Sequence, residues 1–182
     1  EETMEALAQI VSSGKALYVG LSNYNGEQAE RAASILRELH CPFVICQNRY
    51  SILDRTVEKN GLLQAAQRLG RGIIAFSPLA QGLLSDRYLD GIPADSRIRT
   101  DGRFLKESAV TPELLDRLRT LSVIAQNRGQ TLAEMALSWV LRDGAVTSVL
   151  VGASKPAQIA ENIRAVSRTA FTPDELAQID KA

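Results

Sequence analysis

The chain has 182 residues, 45% hydrophobic and 23% charged, long enough to bury roughly 70% of the surface it exposes when unfolded. Its 21 Lys and Arg balance 21 Asp and Glu, so no overall field draws it to nucleic acid or to an anionic membrane, and any phosphate must be held by local placement. No apolar run approaches the roughly 20 residues that span a bilayer, and the two cysteines, Cys41 and Cys46, lack metal-ligand spacing; a reduced, cytoplasmic protein without a metal is expected.

Met4, Leu7, Ala8, Ile10 and Val11 recur at helical spacing, so residues 3–13 read as a helix ended by Ser12-Ser13-Gly14. The sequence enters this helix without an initiator methionine, from which a fragment or processed product is expected. Residues 16–20 read as a short strand, and Ser22-Asn23-Tyr24-Asn25-Gly26 as a polar loop. A helix over about 27–39 follows, with Ala29, Ala32, Ala33, Ile35 and Leu36 as its buried stripe. His40, the one histidine, falls at its end and reads as an incidental surface residue. Phe43-Val44-Ile45-Cys46 is a second apolar strand, which Gln47-Asn48-Arg49-Tyr50 leaves as polar side chains.

Leu62, Leu63, Ala65, Ala66 and Leu69 mark the next helix, stopped by Gly70. Gly72-Ile73-Ile74-Ala75-Phe76 reads as a strand buried on both faces, emptying into Ser77-Pro78-Leu79-Ala80-Gln81-Gly82. Pro78 forbids further ladder bonding, and Gly82 lets a backbone come close to a ligand. Residues 84–109 form a long basic loop with Arg87, Arg97, Arg99, Arg103 and Lys106 and no sustained period. Loops longer than about 12–15 residues are usually functional or disordered; this one is expected to be mobile until an anion neutralises it. Thr111-Pro112-Glu113 starts a helix to about Arg128, and Thr131 caps another through Leu141. Val146–Val151 is the fourth strand, Gly152-Ala153-Ser154 a turn, and Ser154 the N-cap of a helix to about Ser167. A last helix begins at Thr172-Pro173.

Four apolar strands, each followed by at least one helix, are parallel βα units in a single α/β domain over 1–182. Parallel strands share a direction. Ser22 and Asn23, Gln47, Phe76 to Leu79, and Gly152 to Ser154 all follow strands and so gather at one rim, where ligands of parallel sheets bind. The amides at the start of the helix after Ser154, with Lys155, suit an anion. Taken singly, each of these residues is also an ordinary turn or cap residue.

Gly20-Leu21-Ser22-Asn23, Gln47-Asn48-Arg49-Tyr50, Phe76 through Leu84, and Gly152-Ala153-Ser154 with Gln158, Glu161 and Asn162 together resemble the aldo-keto reductases, and within them the potassium channel β subunits and their bacterial relatives. The likeness covers nearly the whole chain and corresponds to the C-terminal half, units five to eight, of that family's TIM (β/α)8 barrel. It implies NADP(H)-dependent transfer of a hydride to an aldehyde or ketone. By that resemblance Ser22, Asn23 and Gln47 bond the nicotinamide carboxamide and Phe76 stacks on its ring. Ser77, Pro78, Leu79, Ala80, Gln81 and Gly82 cross the pyrophosphate, and Arg87 and Arg97 reach the phosphates. Gly152, Ser154, Gln158, Glu161 and Asn162 serve the adenosine end. Many members carry a Lys before the Ser and an Arg four or five residues after it; here Ala153 and Gln158 stand there, so Lys155 and Arg97 would supply the charge for a 2′-phosphate, and NADP against NAD stays open. The family's catalytic Asp, Tyr, Lys and His come from the first barrel half, and none of those motifs is present; Tyr50 is the one aromatic hydroxyl near enough to be considered as a substitute acid. The rival expectation is a non-catalytic NADP-binding module. In either case a homo-oligomer or a complementary first-half chain is expected to cover Leu17, Val19, Val44, Cys46, Ile74, Val149 and Val151, read as inward-facing.

Overall fold

Four parallel strands, β1 (Val19–Ser22), β2 (Phe43–Arg49), β3 (Gly72–Phe76) and β4 (Ser148–Val149), form one sheet in the order β1-β2-β3-β4. The computed structural model describes every residue except 94, 95 and 101–105, and only the backbone of Arg97 and Thr100. Parallel neighbours cannot be joined by hairpins, so helices carry the chain back between them. Two compact units result: residues 1–50, 54–76 and 144–150, and residues 51–53, 77–143 and 151–182.

The first unit holds the sheet with α1 (Glu2–Ser12), α2 (Gly26–Glu38), α3 (Thr56–Lys59) and α4 (Leu62–Leu69). Asn25 starts α2 with a capping box: its Oδ1 accepts the Gln28 amide at 2.8 Å and Gln28 Oε1 accepts the Asn25 amide at 3.0 Å. Gly26 is required there by space. Its amide donates to the Asn60 carbonyl, and a Cβ at this position would lie 2.4 Å from the Gly61 carbonyl oxygen.

Register divides the sheet into two faces. Leu21, Cys46, Ile73 and Ala75 share the buried one, and the pairs Leu21↔Cys46, Cys46↔Ile73 and Asn48↔Ala75 align them. The other face carries Gly20, Ser22, Ile45, Gln47, Arg49, Gly72, Ile74 and Phe76, with Gly20↔Ile45↔Gly72 forming one row. This corrects two of the residues expected on an uncovered inner surface: Val19 and Cys46 are buried, because apolar content alone does not say which face a short strand turns inward. Val44, exposed, lies two residues from Cys46 and so on that same face, while Leu17 and Val151 are exposed outside the strands.

The strands also run further than their apolar runs. Ser22 and Gln47 to Arg49 belong to the ladder, where backbone pairing to Gln47 and to Ile74 through Phe76 holds polar residues in extended form. Conversely, β4 has only two residues of the six expected.

The second unit is helical: α5 (Arg97–Thr100), α6 (Pro112–Asn127), α7 (Leu132–Val140), α8 (Pro156–Arg164) and α9 (Pro173–Lys181). Thr111, Thr131 and Thr172 each accept an amide three residues on, and the last two form capping boxes with Glu134 and Glu175. All nine residues of α7 are buried, as expected of a helix packed on every side. Arg128, after α6, stacks on the Phe171 ring at 3.7 Å, pairs with Glu175 at 2.5 Å and donates to the carbonyls of Arg168 and Ala170. The basic stretch 84–109 is less irregular than its sequence: Asp86–Tyr88, α5 and Glu107–Ala109 are short helical turns. Among the described residues no helix is long and apolar enough to cross a membrane.

Candidate functional site

In the first unit the carboxyl ends of β1, β2 and β3 bring four of the expected residues together. Ser22 is register-paired with Gln47 and Gln47 with Ile74, while Phe76, two residues further along, is paired with Arg49. Side chains alternate along a strand, so Ser22, Gln47, Arg49 and Phe76 project from the same face. Asn23 closes the row: its amide donates to the Gln47 carbonyl at 3.0 Å, and its φ of 62° turns the chain off the sheet. Ser22 and Asn23 are exposed, and Gln47 and Phe76 half-buried. A hydroxyl and two primary amides offer both donors and acceptors, which fits a ligand carboxamide, and a half-buried ring beside them fits a planar heterocycle.

Arg49 is a member of this group that the apolar pattern missed, although period-two counting from Gln47 would have found it. Its guanidinium lies 5.9 Å from the Phe76 ring centroid and 4.0 Å from the Asp54 carboxylate. Tyr50 does not join the row. It is 2% exposed, and its hydroxyl donates to Glu58 Oε1 at 2.5 Å while Arg55 binds the other carboxylate oxygen. A phenol buried and committed in this way is a structural hydrogen-bond donor, which corrects its reading as a substitute acid.

The second unit holds the remaining candidates. Ser77, Ala80 and Gln81 all have positive φ without being glycine, and Gly82 follows at 95°. Backbone strain of this kind persists only where surrounding structure holds it, and it concentrates at functional loops. The amides of Ala80, Gly82, Leu83 and Leu84 are taken by carbonyls of the loop itself, and Gln81 donates to the Ser77 hydroxyl at 3.2 Å. Pro78 is buried and Leu79 half-buried; Arg87 is exposed in the Asp86–Tyr88 turn. Arg97 opens α5, and its side chain lies outside the described ones.

Around α8 the structure revises the expected anion site. The helix N-cap is Lys155, not Ser154. Gln158 Oε1 accepts the Ser154 amide at 2.8 Å, the Ser154 hydroxyl at 3.2 Å and the Lys155 amide at 3.2 Å, so the donors assigned to a phosphate already have a partner on the same helix. Gly152 and Lys155 are exposed; Glu161 and Asn162 are half-buried one turn beyond Gln158. Glu161 accepts the Thr131 hydroxyl at 2.7 Å. That partner had no signal in the sequence beyond Thr131's role as a cap.

The whole chain, residues 1–182, matches the aldo/keto reductase family, to which it therefore belongs. It is 50% identical over 184 residues to the L-glyceraldehyde 3-phosphate reductase of Escherichia coli (strain K12), covering all of this chain and 53% of that protein. A protein of Schizosaccharomyces pombe named for the voltage-gated potassium channel beta subunits is 37% identical over 186 residues, again with all of this chain and 54% of its own length covered. Among solved structures, a thermostable aldo-keto reductase in complex with the inhibitor epalrestat matches with a TM-score of 0.72 and 28% identity, over 99% of this chain and 53% of that one. The chain thus spans about half the length of the relatives it matches. Its parallel sheet and helices are the corresponding part of that family's TIM-barrel fold.

Proposed function

We propose that the chain is the NADP(H)-holding part of an aldo-keto reductase that reduces a small aldehyde or ketone. The observation that carries this reading is the row at the strand ends, where Ser22 and Gln47 are register partners and Phe76 shares their face. NADPH, when bound, supplies the hydride. Ser22, Asn23 and Gln47 fix the orientation of its carboxamide, and the Phe76 ring excludes water from one side of the nicotinamide; orientation of this kind can account for several kcal/mol of a barrier. In the second unit the 77–82 turn with Arg87 and Arg97 is assigned the phosphates. Gly152, Ser154, Lys155, Gln158, Glu161 and Asn162 are assigned the adenosine.

Reduction also needs a proton at the carbonyl oxygen. With Tyr50 tied to Glu58, the donor is assigned to a complementary first-half chain docking on the free edge of β1. Exposed Leu17 and Tyr18, which precede that edge strand, support such a partner. The 50% identity to an L-glyceraldehyde 3-phosphate reductase supports a small hydroxyaldehyde, phosphorylated or not, as substrate.

NADPH fluorescence titration of the chain tests the cofactor assignment. Binding weakened about tenfold or more by Phe76→Ala and by Gln47→Ala is expected, given the cost of about 1.4 kcal/mol per tenfold loss; unchanged affinity in both overturns the assigned row. Single-turnover oxidation of bound NADPH by glyceraldehyde 3-phosphate then separates an enzyme from a nucleotide-binding module.

A further inference from the structure

We propose that Arg37, His40 and Arg71 form a second binding site, for a small phosphate-bearing dianion, at the amino ends of the strands. These side chains line a pocket of about 250 Å³ together with Cys41, Pro42 and Phe43. Phe43 opens β2, and Arg71 immediately precedes β3. The pocket is therefore at the other end of the strands from Ser22, Gln47 and Phe76, and it is independent of the cofactor reading.

Arg37, His40 and Arg71, all exposed, put two guanidinium groups and an imidazole in the pocket's lining, and no carboxylate lines it. Basic residues often sit at helix C-termini to satisfy the last carbonyls, but here backbone amides already take several of them. The carbonyls of Ile35, Leu36 and Arg37 at the end of α2 accept the amides of Leu39, Cys41 and His40 at 3.0, 2.8 and 3.1 Å. Those of Ala66 and Gln67 in α4 accept the amides of Arg71 and Gly70. Among the described residues no side chain pairs with Arg37 or His40; on the same helix Glu30 is bound to Arg68 at 2.7 Å, and Glu38 is exposed. Arg71 lies over the Phe43 ring at 5.8 Å with a long contact to the Gly70 carbonyl at 3.4 Å, which gives its planar fork a fixed wall.

The floor of the pocket is apolar and neutral. Phe43 and Cys41 are buried, and burial raises the Cys41 thiol pKa, so it adds no negative charge. A pocket of this size holds roughly eight water volumes, which accommodates a phosphate group and a short carbon chain. Guanidinium forks meet phosphate oxygens in pairs, and this geometry selects phosphate over a simple halide.

His40 is the only histidine, so its imidazole gives one unambiguous NMR probe. The chain is titrated with inorganic phosphate, and separately with glycerol 3-phosphate, against sodium chloride of equal ionic strength. Saturable shifts of the His40 ring signals with either phosphate but not with chloride are expected, and the double variant Arg37→Gln/Arg71→Gln should lose saturation while keeping its circular dichroism spectrum. Tighter binding of the ester identifies a phosphorylated metabolite as the source, and equal binding identifies free phosphate. A linear drift matching chloride, or saturation unchanged in the double variant, overturns the site.

Discussion

Thr131 donates its hydroxyl hydrogen to Glu161 at 2.7 Å and, through the same oxygen, accepts the Glu134 amide at 3.2 Å. One hydroxyl therefore caps α7 and fixes a carboxylate on α8. Thr131→Val keeps the shape but removes both bonds. The cap alone is worth about 0.5–2 kcal/mol, and a hydrogen bond to a charged group about 1.5–3. A loss of about 2–3 kcal/mol in urea denaturation is expected, with most of it restored in Thr131→Ser. A Thr131→Val protein as stable as the parent would mean that the contact contributes nothing.

Arg128 joins α6 to α9 by ring stacking, an ion pair and two carbonyl contacts, with its side chain 8% exposed. Lysine cannot reproduce that fork. Arg128→Lys is expected to cost about 2 kcal/mol or more, and Arg128→Met to approach the 3–5 kcal/mol typical of breaking a buried pair. Equal stability of the lysine variant would show that charge alone suffices.

The same contact has a pH signature. Burial pushes the Glu175 carboxyl upward, but the Thr172 amide and the Arg128 guanidinium outweigh it and hold the pKa below the usual carboxylate range. A depressed folded pKa gives stability that is complete above the unfolded value, near 4.3, and is lost as pH falls through the folded one. Unfolding free energy should therefore decline on acidification below about pH 5, and Glu175→Gln should flatten that decline. An identical slope in both proteins would remove Glu175 from the account.

Gln158 competes with any anion for the amides before α8. Gln158→Ala should free them and improve the affinity for NADPH relative to NADH by roughly two- to fivefold, the scale of a helix-terminus charge effect. The ratio of the two dissociation constants is the readout. An unchanged ratio would put the 2′-phosphate elsewhere.

Gly26 packs its Cα face against the Gly61 backbone, and backbone cannot swing aside as a side chain can. Gly26→Ala should cost about 2 kcal/mol or more, seen as a lowered melting midpoint. A neutral effect would mean that the start of α2 can move.

The helices were the most legible part of the sequence, because Thr111, Thr131 and Thr172 announce their starts chemically and the apolar stripes count out their lengths. The β3 strand was legible for a similar reason, being apolar throughout and bounded by glycine and proline. The ends of β1 and β2 were not. Ser22 and Gln47–Arg49 are polar residues held in strands by neighbours distant in sequence, and a local pattern carries no information about that pairing. The same limit hid which face Val19 and Cys46 occupy, and it hid the commitments of Tyr50 to Glu58, Gln158 to Ser154 and Glu161 to Thr131. Residue types named the candidates for the site; only the fold showed which of them already had partners.

The row Gly20–Ile45–Gly72 makes three positions on three strands share a single volume. A Cβ on residue 20 would come within 2.9 Å of Ile45 Cγ2, and one on residue 72 within 3.3 Å of Ile45 Cδ1 and 2.8 Å of Thr147 Oγ1. Ile45→Leu removes the methyl branch at Cβ, and with it the nearest side-chain obstacle to an alanine at position 20. Alanine at 20 should therefore be harmful beside isoleucine and milder beside leucine, with the carbonyl oxygen of residue 45 at 3.1 Å as the obstacle that remains. Such dependence means that descent can change these positions only in a particular order, with the middle strand yielding before its neighbour, so that related chains should carry the record as paired substitutions rather than independent ones.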